Sequence, residues 1–170
     1  MIDKRIFRIP TRIKQDIKIV RIAKNWPTIL SAKLSKKPIR KIELRNGIVI
    51  DAPDEIDLNF VFHEIWVDEL YLPKGYSIKH DDIVLDIGAN IGTFSLYAAT
   101  KNKGVKVFSF EPFPSNADYF EKNIQQSGIN NVDLFRGAVA SSSGKRNLNV
   151  SDSWIKHTLD ENPDQQRGTI

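Results

Sequence analysis

Residues 83–92 read Ile83-Val84-Leu85-Asp86-Ile87-Gly88-Ala89-Asn90-Ile91-Gly92, an apolar run that ends in an acid and two glycines. Ile83, Val84, Leu85 and Ile87 show no polar alternation, which predicts a strand covered on both faces in a parallel sheet. Asp86 interrupts the run near the strand's carboxyl end. Ligands of open α/β sheets sit beyond those ends, so a carboxylate placed there is expected to face a crevice. Gly88 and Gly92 allow a tight turn and close approach of a ligand to the backbone. A helix from about Thr93 then aims its free N–H groups at the same place.

A second strand, Val105-Lys106-Val107-Phe108-Ser109-Phe110, ends in Glu111 and Pro112. An acid at that position can accept both hydroxyls of a ribose, as in dinucleotide-binding folds. The first loop departs from those folds, offering Asp86-x-Gly88-x-Asn90-x-Gly92 where a pyrophosphate site has G-x-G-x-x-G. Asp86 would repel a pyrophosphate but attract an ammonium or sulfonium. Together the two acids favour a cationic nucleoside.

These residues resemble the FkbM family of S-adenosylmethionine-dependent methyltransferases. The likeness rests on Val84 through Ser95, on Phe110-Glu111-Pro112-Phe113-Pro114, on Asn123 and on Ala138-Val139, with Glu64-Ile65 and Tyr71-Leu72-Pro73 upstream. It runs from about Ile39 to Val150. It implies an α/β fold, the Rossmann-like parallel sheet of class I methyltransferases, with S-adenosylmethionine as cofactor. By the same resemblance Asp86, Gly88, Ala89, Asn90, Gly92 and Thr93 hold the methionine portion and shape the loop, and Glu111 grips the ribose. Pro112 stiffens the following corner, Phe113 either covers the adenine or joins the core, and Ala138 lets backbone reach the adenine edge. Glu64 and Tyr71 line the methionine end, although Tyr71 packing under the sheet is the favoured alternative. The acceptor implied is a small hydroxylated or sugar-containing molecule.

At 170 residues and 41% hydrophobic content the chain can bury a core, and it contains no cysteine. Disulfides and thiolate chemistry are therefore excluded. Apolar runs fall far short of a membrane span, and charges occupy the place of a signal peptide's apolar region, so a cytoplasmic protein is expected. Charge is unevenly spread: residues 1–41 hold 13 Lys/Arg against 2 acids, and residues 42–170 hold 12 against 19. The basic pI of 9.2 thus belongs to one end.

Residues 1–37 form a basic, helical extension whose Ile6, Ile9, Ile13, Ile17 and Val20 step along one face. Pro10 opens the helix, and Trp26-Pro27 marks a break before a second segment at Thr28 to Ser35. The stripe is expected to pack on the domain; adsorption to a membrane surface and nucleic acid binding are the competing readings. Residues 38–170 are the domain proper, with a hairpin at 39–52 turning at Asn46-Gly47 and a cofactor-binding core at 83–150. A helix is expected at roughly 59–69. His63 has no partner at metal-ligand spacing and reads as a packed or hydrogen-bonded histidine. Phe94, Tyr97 and Ala98 are expected against the sheet in a helix ended by Asn102-Lys103-Gly104. Ser115 with Asp118 suggests a cap, and Ala117, Phe120 and Ile124 a buried stripe closed by Gly128. Asn131 to Phe135 is a third strand, and Asn147 to Val150 a short outer one.

Class I sheets have strand order 3-2-1-4-5-7-6, and only the 3-2-1 half is expected here. The family's Lys-x-Asp-x-Glu-Gly segment has no counterpart between Ser151 and Ile170. The chain therefore reads as the N-terminal part of a longer enzyme, inactive alone, whose general base lies beyond Ile170. Catalytic residues are not assignable from it, and no metal or nucleic acid partner is expected. The other functional readings are an NAD- or nucleotide-binding module, which shares Glu111 but lacks the three-glycine loop, and a non-catalytic interaction protein acting through the basic helix.

Overall fold

The computed structural model describes residues 10–142, 144, 148–149 and 158–159. Its centre is a parallel sheet of β3 (Ile83–Ile87), β4 (Lys106–Phe110) and β5 (Val132–Phe135), in the order β3-β4-β5. That is the 3-2-1 arrangement the sequence resemblance implies. Helices α4 (Thr93–Ala99) and α5 (Pro114–Ser127) make the crossovers, and both pack on one face of the sheet. Along β4 the alternating residues Val107 and Ser109 are buried beneath them, and Glu111 continues that buried row past the strand's end.

The other sheet face differs from expectation. Ile83, Leu85 and Ile87 are 68%, 63% and 63% exposed, so among the described residues β3 is covered on one side and not on both. The apolar run recorded two greasy faces, but only Val84 and Asp86 lie beneath helices. Phe110 and Phe135 extend the open face, with ring centroids 5.0 Å apart.

An N-terminal layer packs against α4 and α5. It comprises α1 (Thr11–Ile22), α2 (Trp26–Ser35), the antiparallel pair β1 (Lys41–Glu43) and β2 (Val49–Asp51), and α3 (Leu58–Phe62), which runs into a π-helical turn at His63–Val67. Pro10 precedes α1 and Pro27 sits in the first turn of α2, both where a missing N–H costs nothing. The hairpin falls within 39–52, and the chain reverses around Asn46-Gly47 with the Asn46 side chain accepting from the Ile48 N–H at 3.3 Å. Asp57 caps α3 by accepting from the Phe60 N–H at 3.1 Å. The expected helix at 59–69 is thus two kinds of turn in succession.

Several local expectations need correction. The isoleucines of α1 that pack inward are Ile19 and Ile22, joined by Ala23, whereas Ile13, Ile17 and Val20 face outward. Polar anchors choose between these two stripes: Lys18 Nζ donates to the Val67 carbonyl at 2.8 Å and Gln15 to Asp68 at 2.8 Å. Helix α4 ends at Ala99, before Gly104, and its Tyr97 packs into the N-terminal layer while Ala98 and Ala99 meet the sheet. Helix α5 begins at Pro114 without a side-chain cap, so Ser115 lies inside it; Gly128 closes it in the left-handed conformation as expected. Leu148–Asn149 pairs antiparallel with Thr158–Leu159 and not at the sheet's edge. The expectations for Ile6 and Ile9 lie outside the described residues.

Asn123, fully buried on α5, joins the two layers. Its Oδ1 accepts from the Asp51 N–H at 2.8 Å, and its Nδ2 donates to the carbonyls of Asp51 at 3.1 Å and Ile91 at 2.9 Å. The amide thus extends the hairpin ladder and holds the glycine loop. Leucine there strands those backbone groups, at about 1–3 kcal/mol for each one left buried and unpaired. We therefore expect Asn123→Leu to lower unfolding free energy by about 3 kcal/mol or more in a denaturant titration; a loss below about 1 kcal/mol would contradict the joining role.

Candidate cofactor site

A cavity of about 480 Å³ opens at the carboxyl ends of β3 and β4. The sheet side supplies Asp86, Gly88, Ala89, Asn90, Ile91, Thr93 and Phe94, then Glu111, Pro112 and Asn116. The N-terminal layer supplies the facing wall: Phe60 and Val61 from α3, Glu64 and Ile65 from the π-helical turn, and Tyr71. Among the described residues, three carboxylates line this space, and no lysine, arginine or histidine does.

The loop after β3 owes its shape to backbone bonds. Gly88 and Ala89 N–H groups both donate to the Phe110 carbonyl, at 2.9 and 3.0 Å, which fixes the loop on the end of β4. Asn90 takes a positive φ of 54°, and its side chain accepts from the Ile91 N–H at 2.8 Å, a local bond that makes this conformation tolerable for a non-glycine residue. Gly92 has φ 81°, and a Cβ there would fall inside the Phe120 ring. Its lack of a side chain serves packing, since Gly92 is not among the residues lining the cavity.

Glu111 is buried and ties the two loops together. Its Oε2 accepts from the Asn90 N–H at 2.7 Å and its Oε1 from the Phe113 N–H at 2.9 Å. Each carboxylate oxygen can accept more than one bond, so both retain capacity toward the cavity. Asp86 faces the covered side of the sheet, where its Oδ2 accepts from the Ser95 hydroxyl at 2.5 Å. Ser95 in turn meets the Ser109 hydroxyl at 2.7 Å. Burial holds the Asp86 carboxyl above its ordinary range, opposed by the Ser95 bond and reinforced by the charge of Glu111. The Tyr71 phenol is likewise raised, by burial and then by the charges of Glu64 and Asp86.

Of the residues expected from sequence, the cavity brings together Asp86, Gly88, Ala89, Asn90, Thr93, Glu111 and Pro112. Phe113 and Ala138 are not in its lining, the first acting through its N–H on Glu111 and the second lying exposed past β5. Tyr71 stands at the cavity wall with its ring 5.3 Å from Phe94, and does not pack under the sheet. Sequence reasoning missed Ser95 and Ser109. Period-two alternation through Val107, Ser109 and Glu111, with Asp86 opposite Ser109 in register, is the signal that would have found them. It also missed Phe60, Val61 and Asn116. The Thr93 hydroxyl is buried without a hydrogen-bond partner. His63 packs edge-on to Phe62 with Nε2 unpaired, and no metal-binding cluster occurs among the described residues.

No family model matches the chain. It is similar to the 31-O-demethyl-FK506 methyltransferase FkbM of Streptomyces tacrolimicus, 37% identical over 76 residues, covering 45% of this chain and 29% of that protein. It is also similar to methyltransferase sdnD of Sordaria araneosa, 31% identical over 94 residues, 55% of this chain and 36% of that one. The chain therefore spans about a third of the length of these relatives. Among solved structures, coclaurine N-methyltransferase bound to N-methylheliamine and SAH aligns with 76% of this chain and 38% of its own, at 21% identity and a TM-score of 0.40.

Asp86 sits in the cavity at a cost to the free protein. A carboxyl whose folded pKa is raised above the unfolded one contributes stability below the unfolded pKa, and loses it as pH rises through the folded pKa. Asparagine mimics the protonated form and still accepts from Ser95. Asp86→Asn is therefore expected to melt above the parent at neutral pH by a few degrees, about 1 kcal/mol. The gap should close as pH falls from the raised folded pKa of Asp86 toward the ordinary carboxylate value. A variant that melts lower at neutral pH would contradict this.

Proposed function

We propose that the chain carries the S-adenosylmethionine site of a methyltransferase acting on a hydroxyl of a small hydroxylated or sugar-containing acceptor. The observation that carries this reading is the charge of the cavity: Glu64, Asp86 and Glu111 face one space with no basic side chain in its lining among the described residues. Such a site rejects the pyrophosphate of a dinucleotide and favours a ligand bearing positive charge. The name of the Streptomyces relative, which acts on an O-demethylated compound, supports oxygen as the acceptor atom.

When bound, the cofactor supplies an electrophilic methyl on a positively charged sulfur, and transfer leaves a neutral thioether. The chain's own contribution is placement and field. Glu111, fixed by two backbone amides, offers its remaining lone pairs to ribose hydroxyls. Asp86 and Glu64 provide negative potential for the amino-acid end, and Asp86 is held from behind by Ser95. The unpaired Thr93 hydroxyl is positioned to gain a partner on binding. Phe60, Val61, Ile65 and Phe94 form the apolar wall that excludes water and strengthens those electrostatic contacts. Holding the reacting methyl in line is then the main source of rate.

Calorimetric titration tests this directly. S-adenosylmethionine and S-adenosylhomocysteine are expected to bind, with NAD giving no heat, and Asp86→Asn is expected to weaken S-adenosylmethionine by roughly ten- to hundredfold, the ~1.5–3 kcal/mol of a contact to a charged group. Preferential binding of NAD, or equal affinity in the Asp86 variant, would overturn the assignment.

A further inference from the structure

Helix α1 is docked through one face and leaves a second apolar stripe outside. Ile13, Ile17 and Val20 are 49%, 43% and 36% exposed. At about 100° per residue they span an arc of roughly 60°. Lys14 and Arg21 flank the stripe on one side, Lys24 lies in line with it just beyond the helix end, and Arg12 precedes it in the first turn; all four are exposed. None of these four makes an ion pair or side-chain hydrogen bond among the described residues. The one acid of the helix, Asp16, is already paired with Lys33 at 2.7 Å. The nine residues before Pro10 add Lys4, Arg5 and Arg8 against Asp3.

We propose that this face of α1 docks on the surface of an anionic lipid bilayer. An aliphatic stripe bordered by unpaired cations, with its one neighbouring acid already paired, matches the boundary between acyl chains and anionic headgroups. The helix is far too short to cross a bilayer and lies in its plane. Its rotation is preset, because Lys18 and Gln15 fasten the opposite face to Val67 and Asp68. Two copies meeting through this face would bring like charges together, and a nucleic acid would gain nothing from three aliphatic side chains in a face without aromatic rings to stack on. With only three aliphatic residues, attachment is shallow and depends on charge.

Co-sedimentation with vesicles is the test, using phosphatidylcholine alone or mixed with phosphatidylglycerol. The chain is expected to sediment with the mixed vesicles only and to be released by high salt. Ile13→Asp with Ile17→Asp should reduce binding at least tenfold without changing the melting temperature, since both side chains are exposed. Lys14→Gln and Arg21→Gln should each cost roughly fivefold. Equal binding to neutral vesicles, no binding to either, or indifference to both sets of variants overturns the proposal. So does stripe-dependent self-association in sedimentation velocity without lipid binding, or capture of an RNA homopolymer in preference to the mixed vesicles.

Discussion

A buried carboxylate, Glu111, and a half-buried one, Asp86, with no cation beside them among the described residues, set the terms for this molecule. Asp86 and Glu111 stand at the ends of adjacent parallel strands, and Glu64 completes an acidic enclosure from the other layer. Desolvated acids of like sign destabilise a fold unless something offsets them. Glu111 is offset by two backbone N–H groups, which turns its charge into the clamp between the β3 and β4 loops. Asp86 is offset by one serine hydroxyl and stays above its normal pKa. A perturbed carboxyl in a cleft is a candidate functional group, and here the charge of the cavity has a definite sign to attract.

The site needs both layers, and that explains the rest of the architecture. The sheet supplies acids and loop, while α3 and the π-helical turn supply Phe60, Val61, Glu64 and Ile65. A π-helical turn widens the backbone spiral by one residue and re-aims the side chains on it, which is why such turns recur at functional sites. Asn123 holds the hairpin to the glycine loop, and Glu69, just after the turn, pairs with Lys18 of α1 and with Lys101 just beyond the end of α4. Wall and loop therefore keep their spacing through polar bonds, with the large apolar cluster beneath them.

The loop and its two acids were legible in the sequence because their chemistry is local: a glycine at positive φ, an asparagine that bonds its own backbone, and an acid after a β-strand announce themselves within a few residues. The turn at Asn46-Gly47 and the stop at Gly128 were legible for the same reason. What could not be read was which apolar surface meets which. In α1 both Ile13-Ile17-Val20 and Ile19-Ile22 satisfy helical spacing, and the choice fell to Lys18 and Gln15, whose partners lie about 50 positions away. In β3 the unbroken aliphatic run announced two faces fit for burial, without saying what covers each. Phe113 makes a contribution that side-chain chemistry does not announce, since its backbone N–H donates to Glu111.

The chain is thus electrically divided, with an acidic cavity between its layers and unpaired cations along the outside of α1. Sheer net charge would hide this division, since the two nearly cancel over the chain. The separation matters because potentials of opposite sign recruit different partners without competing. A small cation drawn to Asp86 and Glu64 is repelled from α1, and an anionic surface drawn to α1 is repelled from the cavity mouth. Within the cavity, occupancy by a cation also removes the repulsion that the free carboxylates impose. Binding there is then coupled to stability through the same two acids, and tightens the seam between the layers that each contribute one wall.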